Sequence, residues 1–130
     1  MTKITYPAFL RFFYASLWYV LLPLAVLYLL LRSIKQPAYR HFFGERFACY
    51  ASSAQQPIWL HAASLGEINA AAELLRALRA DHPDVPLLIS CQTPAGRQSA
   101  QALQLADCLC VYLPFDLAWT TRRFIKHFQP

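Results

Sequence analysis

A chain of 130 residues holds at most one ordinary domain, and 57% hydrophobic against 15% charged residues is too apolar for a small soluble fold alone. A formal net charge of +5 suits an anionic partner: nucleic acid, a lipid surface or a phosphorylated substrate. Zinc-finger spacing, an RNP-type motif and a basic–aromatic stripe are all missing, which argues against nucleic acid.

Residues 12–31 run without a charge. As a helix, a segment of that length spans roughly 30 Å, the thickness of a bilayer core. Tyr6, Tyr14, Trp18 and Tyr19 gather toward one end, where aromatic rings favour the membrane interface, and Pro23 predicts a kink. The run closes on Leu29, Leu30, Leu31, Arg32 and Ser33 without a small-residue cleavage site, so residues 1–35 read as a retained membrane anchor. Arg32, Lys35, Arg40 and Arg46 after the run outnumber Lys3 and Arg11 before it, which places the C-terminal side in the cytoplasm. Arg40 and Arg46 are expected to hold the anchor to the anionic membrane face. Arg11 and Pro23 also leave open a helix lying flat in one leaflet.

Residues 36–57 read as a connecting segment, with Ser52, Ser53, Gln55 and Gln56 in its polar stretch. From residue 58 to 130 the pattern changes to short apolar runs alternating with helix-like stretches. Residues 58–61 suit a strand, and 67–80 carry Ile68, Ala71, Ala72, Leu75 and Leu78 on one helical stripe. Pro83 and Pro86 end that helix, 87–91 form a second strand, and Thr93 with Pro94 starts a helix reaching Leu105. Residues 108–113 form a third strand and 117–128 a third helix. This is the α/β class: a membrane helix followed by three strand–helix units of a partial Rossmann-like parallel sheet. Cys49, Cys91, Cys108 and Cys110 form no C-x-x-C pair and have no histidine at metal spacing, so they read as buried free thiols, with no metal site.

Ligands of such sheets bind beyond the carboxyl ends of the strands, which singles out loops 61–67, 92–97 and 114–116. In the first, Gly66 is expected to turn the chain tightly and Glu67 to project at the opening, where a carboxylate can take a proton from an attacking hydroxyl. Ser64 and Glu67 also have the spacing of a capping box, a purely local role. His61 reads as a packed strand-end histidine. Arg97, one residue beyond Gly96, stands either near a helix start suited to phosphate or on a solvated helix face. Arg122, Arg123 and Lys126 form a solvated or lipid-facing helix side.

Taken in order, Gln36–Pro37–Ala38–Tyr39–Arg40 with Gly44–Glu45–Arg46, then His61, Ser64, Gly66 and Glu67, then Thr93–Pro94–Ala95–Gly96, then residues 111–116 up to Asp116 resemble bacterial 3-deoxy-D-manno-octulosonic acid (Kdo) transferases. The resemblance runs from Gln36 to the end of the chain. It implies the acceptor-side N-terminal domain of a GT-B glycosyltransferase. Such an enzyme carries Kdo from CMP-Kdo to a lipid A precursor in lipopolysaccharide synthesis, at the cytoplasmic face of the inner membrane. It implies inversion, no cofactor and no metal, with Glu67 as catalytic base and Ser64, Gly66, Thr93, Gly96 and Arg97 in substrate binding. Ala62, Ala95 and Arg97 depart from the family pattern. The domain that binds CMP-Kdo is not expected within these residues, so the chain alone is expected to be inactive. A membrane-tethered module that binds lipid A precursor without transferring sugar is the rival reading.

Overall fold

The computed structural model describes residues 7–51 and 55–130. Lys3, Tyr6, Ser52 and Ser53 lie outside the described residues, as does the side chain of Arg11. Helix α1 covers Ala8–Lys35, with Pro23 inside it, and is long and apolar enough to cross a membrane by length and composition. Two 3₁₀ turns follow at Pro37–Tyr39 and Phe43–Phe47. The remaining elements alternate: β1 Ile58–His61, α2 Leu65–Asp81, β2 Leu87–Cys91, α3 Pro94–Ala102, β3 Cys108–Tyr112 and α4 Ala118–Phe128.

The three strands pair in parallel in the order β1-β2-β3, with His61 opposite Ser90 and Cys91 opposite Tyr112. Side chains alternate across the pleat, so each strand feeds two cores. On one face Ala62, Ile89 and Cys110 meet Ile68 and Leu75 of α2 and Ala100 of α3. On the other, Leu88 and Val111 meet Phe124 and Phe128 of α4. Burial on both sides explains why β2 reads as an unbroken apolar run, all five of its residues being buried. Each such large side chain removed from water contributes about 1.5–3 kcal/mol. Cys91 and Cys110 are buried, Cys108 is half-buried and Cys49 is exposed, so a buried set of four thiols is corrected at Cys49. Burial pushes the Cys91 thiol up to about 11, leaving it unreactive near neutrality.

The segment between anchor and sheet is packed onto the domain. Tyr50 sits edge-on to Phe124 and Phe128 and donates its hydroxyl to the Tyr112 carbonyl at 3.0 Å. Gln56 N–H donates to the Phe128 carbonyl at 3.0 Å. At the opposite end of the sheet, Arg79 donates to the carbonyls of Pro83 and Val85 at 2.8 and 2.9 Å, fixing the α2–β2 connection.

Both halves of α1 touch the rest of the chain. Near its start, the Tyr14 hydroxyl donates to Asp116 Oδ2. Near its end, Ser33 is buried and accepts from Arg40 Nε at 3.1 Å, and the Arg32 guanidinium lies 4.9 Å from the centre of the Tyr39 ring.

Candidate functional site

Ser64 leaves β1 in extended conformation and caps α2. Its Oγ accepts from the Glu67 N–H at 3.4 Å and donates to Glu67 Oε1 at 3.2 Å, while the Ala63 N–H donates to Glu67 Oε2 at 2.8 Å. Ser64 thus caps α2 as its spacing predicts, but the return bond of Glu67 goes to the Ala63 N–H instead of the Ser64 N–H of a capping box, and the carboxylate is exposed at the carboxyl end of β1. The turn is made by Ser64, not by Gly66: no described glycine has positive φ, and Gly66 lies in the first turn of α2. A Cβ on Gly66 would meet only Ser64 Oγ at 4.0 Å, so the missing side chain leaves open space beside Glu67. His61, although exposed, turns Nδ1 onto Ser90, 3.0 Å from its Oγ, and Trp59 Nε1 donates to that same Oγ at 2.8 Å.

The second loop repeats the pattern. Thr93 is extended, Pro94 opens α3, and Thr93 Oγ1 accepts from the Gly96 N–H at 3.2 Å. Here the glycine has a steric cause. A Cβ on Gly96 would lie 3.2 Å from Thr93 Oγ1, 3.4 Å from the Ser64 carbonyl carbon and 3.5 Å from Leu65 N. The starts of α2 and α3 therefore touch, and Ser99 Oγ donates to Asn69 Oδ1 at 2.9 Å one turn further along. Two helix starts side by side direct unpaired N–H groups and partial positive charge to one opening, which suits an anionic group.

Arg97 is neither on a solvated face nor free for phosphate. It is 8% exposed and grips Glu45 with both terminal nitrogens, Nη1 to Oε2 at 2.5 Å and Nη2 to Oε1 at 3.2 Å. Tyr112 N–H donates to the same Oε2 at 2.7 Å. The guanidinium stacks 3.8 Å from the centre of the Phe42 ring and 4.9 Å from that of Tyr112. Arg46 is likewise turned inward. It is 7% exposed, donates to the Gln92 carbonyl at 2.6 Å and stacks 4.5 Å from the Tyr112 ring centre, which removes it from the membrane face. Burial lowers its pKa, and burial raises that of the Tyr112 hydroxyl. Phe42 and Ala48 bracket this turn at φ 57° and 55°, left-handed values that side chains tolerate only when surroundings hold them.

The structure therefore brings Ser64, Gly66, Glu67, Thr93 and Gly96 to one opening, and it sets Arg97 beneath the second loop as a brace. Glu45, Arg46 and Tyr112 complete that brace. The sequence signal for Glu45 was present as a carboxylate inside an otherwise basic, aromatic stretch, but its partner lies 52 residues away. Among the described residues no three His, Cys, Asp or Glu side chains gather as a metal set.

A parallel β/α sheet with two helix starts and an exposed carboxylate at its carboxyl end defines a partial Rossmann-like unit with a ligand-facing edge. Its sequence matches the family described as 3-Deoxy-D-manno-octulosonic-acid transferase (kdotransferase) over residues 41–130, and the chain belongs to that family. It is 37% identical over 123 residues to a 3-deoxy-D-manno-octulosonic acid transferase of Haemophilus influenzae, covering 92% of this chain and 29% of the relative. Transferases of the same description from Rickettsia felis and Bordetella pertussis are 35% and 32% identical over 62% and 68% of this chain, covering 17% and 21% of their own lengths. The chain thus spans less than a third of the length of these curated relatives. No solved structure gives a significant match.

Proposed function

We propose that this chain supplies the membrane-anchored, acceptor-side half of a GT-B glycosyltransferase that moves Kdo from CMP-Kdo to a lipid A precursor at the cytoplasmic face of the bacterial inner membrane. The observation that carries the reading is the exposed Glu67 carboxylate, held at the start of α2 beside the open space over Gly66 and within the segment shared with the transferase family. The acceptor hydroxyl oxygen attacks the anomeric carbon of the donor sugar. The bond from that carbon to the CMP phosphate oxygen breaks, CMP leaves, and the hydroxyl proton passes to Glu67. Attack opposite the leaving group inverts the anomeric centre.

In the free protein the Glu67 oxygens accept two hydrogen bonds, from Ala63 N–H and Ser64 Oγ. An ionised carboxylate offers roughly four lone-pair sites, so a hydroxyl has room to bind without first breaking the cap. Ser64 and Ala63 hold the carboxylate in place, which is the positioning that proton transfer needs. Gly66 leaves room for the acceptor, and Thr93 and Gly96 set the neighbouring helix start against the same opening. Arg97 acts through Glu45, holding the second loop. The donor is bound by sequence beyond these residues, and the 130 residues alone do not turn over.

The test is to incubate the membrane-bound protein that carries this segment with CMP-Kdo and lipid A precursor. Release of one CMP for each sugar found on lipid is expected. Retention of lipid A precursor with no CMP released replaces the transferase by the binding module.

A further inference from the structure

Helix α3 has two working faces, and only one of them belongs to the opening at Glu67. Gly96 and Ser99 meet α2, whereas Pro94, Arg97, Gln98 and Gln101 recur at helical spacing on another side. That side lines a groove of about 680 Å³, bordered in turn by Lys35 at the end of α1 and by His41 and Phe42 between the two 3₁₀ turns. Sites for small molecules commonly enclose roughly 300–1,000 Å³. No Asp or Glu lines the groove, and Lys35 and His41 are exposed without an ion pair among the described residues.

Positive charge also lies beneath the groove. Its buried floor is Arg97 and Tyr112, and the Tyr112 ring adjoins the guanidiniums of both Arg97 and Arg46. This buried set holds two guanidiniums and one carboxylate, Glu45, so one positive charge is left over where water screens it weakly. Arg97 keeps its terminal nitrogens on Glu45, but its Nε is buried with no hydrogen-bond partner among the described residues. A donor left over in so buried a side chain is uncommon, and this side chain lines the groove. At the start of α3, Pro94 has no N–H, and Thr93 takes those of Gly96 and Arg97. The Ala95 N–H, also on the groove, is left without an acceptor among the described residues.

We propose that this groove binds a phosphate monoester carried on a sugar. An ammonium, an imidazole and a helix start are three kinds of donor on separate elements, suited to a tetrahedral anion. A carboxylate is matched instead by the planar fork of an arginine, and here that fork is already spent on Glu45. The exposed amides of Gln98 and Gln101 offer donors and acceptors to sugar hydroxyls, and the exposed Phe42 ring offers a flat apolar surface to a sugar face. Because the starts of α2 and α3 touch, the groove adjoins the Glu67 opening. The ligand is then the phosphorylated head of the acceptor, held by its phosphate while a hydroxyl reaches Glu67; this assignment rests on the transferase reading.

The test uses the complete transferase in neutral detergent, where no anionic lipid surface is present. The probes are phosphorylated lipid A precursor and the same lipid after phosphatase treatment. Lys35→Gln with His41→Gln should raise the KM for the phosphorylated lipid roughly 10–100-fold, through the loss of two charge-assisted hydrogen bonds, with kcat held within about twofold. The parent should show a similar rise with the dephosphorylated lipid, and the substitutions should add nothing there. An equal rise for both lipids makes Lys35 and His41 general electrostatic contributors and overturns the groove, while turnover leaves the transferase reading standing. Binding separates the converse case. Retention of the phosphorylated lipid alone, lost in the double variant, supports the groove even where no CMP is released and the transferase reading fails. Inorganic phosphate that competes at equal concentration makes the ligand free phosphate and overturns the sugar assignment. Protein that retains both lipids equally overturns the phosphate site.

Discussion

The loops after β1 and β2 are built alike and end differently. Each has an extended hydroxyl residue as cap, Ser64 or Thr93, and a glycine in the first helical turn, Gly66 or Gly96. At the first loop, among the described residues, Glu67 stays exposed. Beneath the second, Glu45 arrives from the connecting segment and pairs with Arg97, while Gly96 is pressed against the start of α2. The same local grammar thus gives an open edge in one case and a filled joint in the other. What decides between them is a segment distant in sequence. A carboxylate is available for chemistry only where no such segment covers it.

The largest expected effect lies on the open side. Glu67→Gln keeps a side-chain oxygen able to accept from the Ala63 N–H, so the fold should be retained. In the complete transferase the rate should fall roughly 10²–10⁴-fold, the usual contribution of a positioned base. Parallel measurement of CMP release and thermal midpoint separates the two roles, and near-normal turnover would take Glu67 out of the mechanism.

On the filled side the expected loss is of stability. Glu45→Ala strands Arg97 in a buried site and should cost roughly 3–5 kcal/mol, read as a fall in denaturation midpoint. The paired change Glu45→Leu with Arg97→Met should recover most of it, because an apolar pair of similar volume avoids the desolvation cost. If Glu45→Ala is as stable as the parent, the joint is not what holds the second loop.

The glycines sharpen the contrast because they should move in opposite directions. Gly96→Ala places a Cβ 3.2 Å from the Thr93 cap oxygen, which must give by a few tenths of an ångström while the Ser64 and Leu65 backbone stands at ordinary contact distance, and should destabilise by about 1 kcal/mol. Gly66→Ala meets open space and should stabilise α2 by about 0.5–1 kcal/mol while lowering transfer, since the methyl enters the ligand's space. Equal shifts from both substitutions would erase the distinction between the loops.

Local signals carried the sheet and helices well. The runs 58–61 and 87–91 coincide with β1 and β2, and Thr93 with Pro94 opens α3 as its capping chemistry requires. The ends were less legible. A helix through Leu105 stops at Ala102, and α2 begins at Leu65, before its apolar stripe. Glu67 and its cap were readable because all their partners lie within four residues. The fate of Arg97 and Arg46 was not, since a charge that follows an apolar anchor looks the same whether it faces lipid or a carbonyl across the sheet. Gly66 misled for a related reason: glycine at a strand–helix junction suggests a backbone need, and only the atoms around it show that the need is space.

The caps provide the finest distinction. Ser64→Ala and Thr93→Ala each remove one N-cap oxygen, a change worth about 0.5–2 kcal/mol. The two should fall at opposite ends of that range. Glu67, whose N–H loses its partner in Ser64→Ala, is exposed, so water replaces the hydroxyl and the cost is small. Gly96, whose N–H loses its partner in Thr93→Ala, is buried against Ser64 and Leu65, so no water reaches it and the full desolvation cost remains. Transfer assays should reverse that order, because Ser64 also holds Oε1 of the proposed base and Thr93 touches no part of it. A Thr93→Ala protein that is the more stable of the two would mean that water enters the joint between α2 and α3, and that the second loop is open as well.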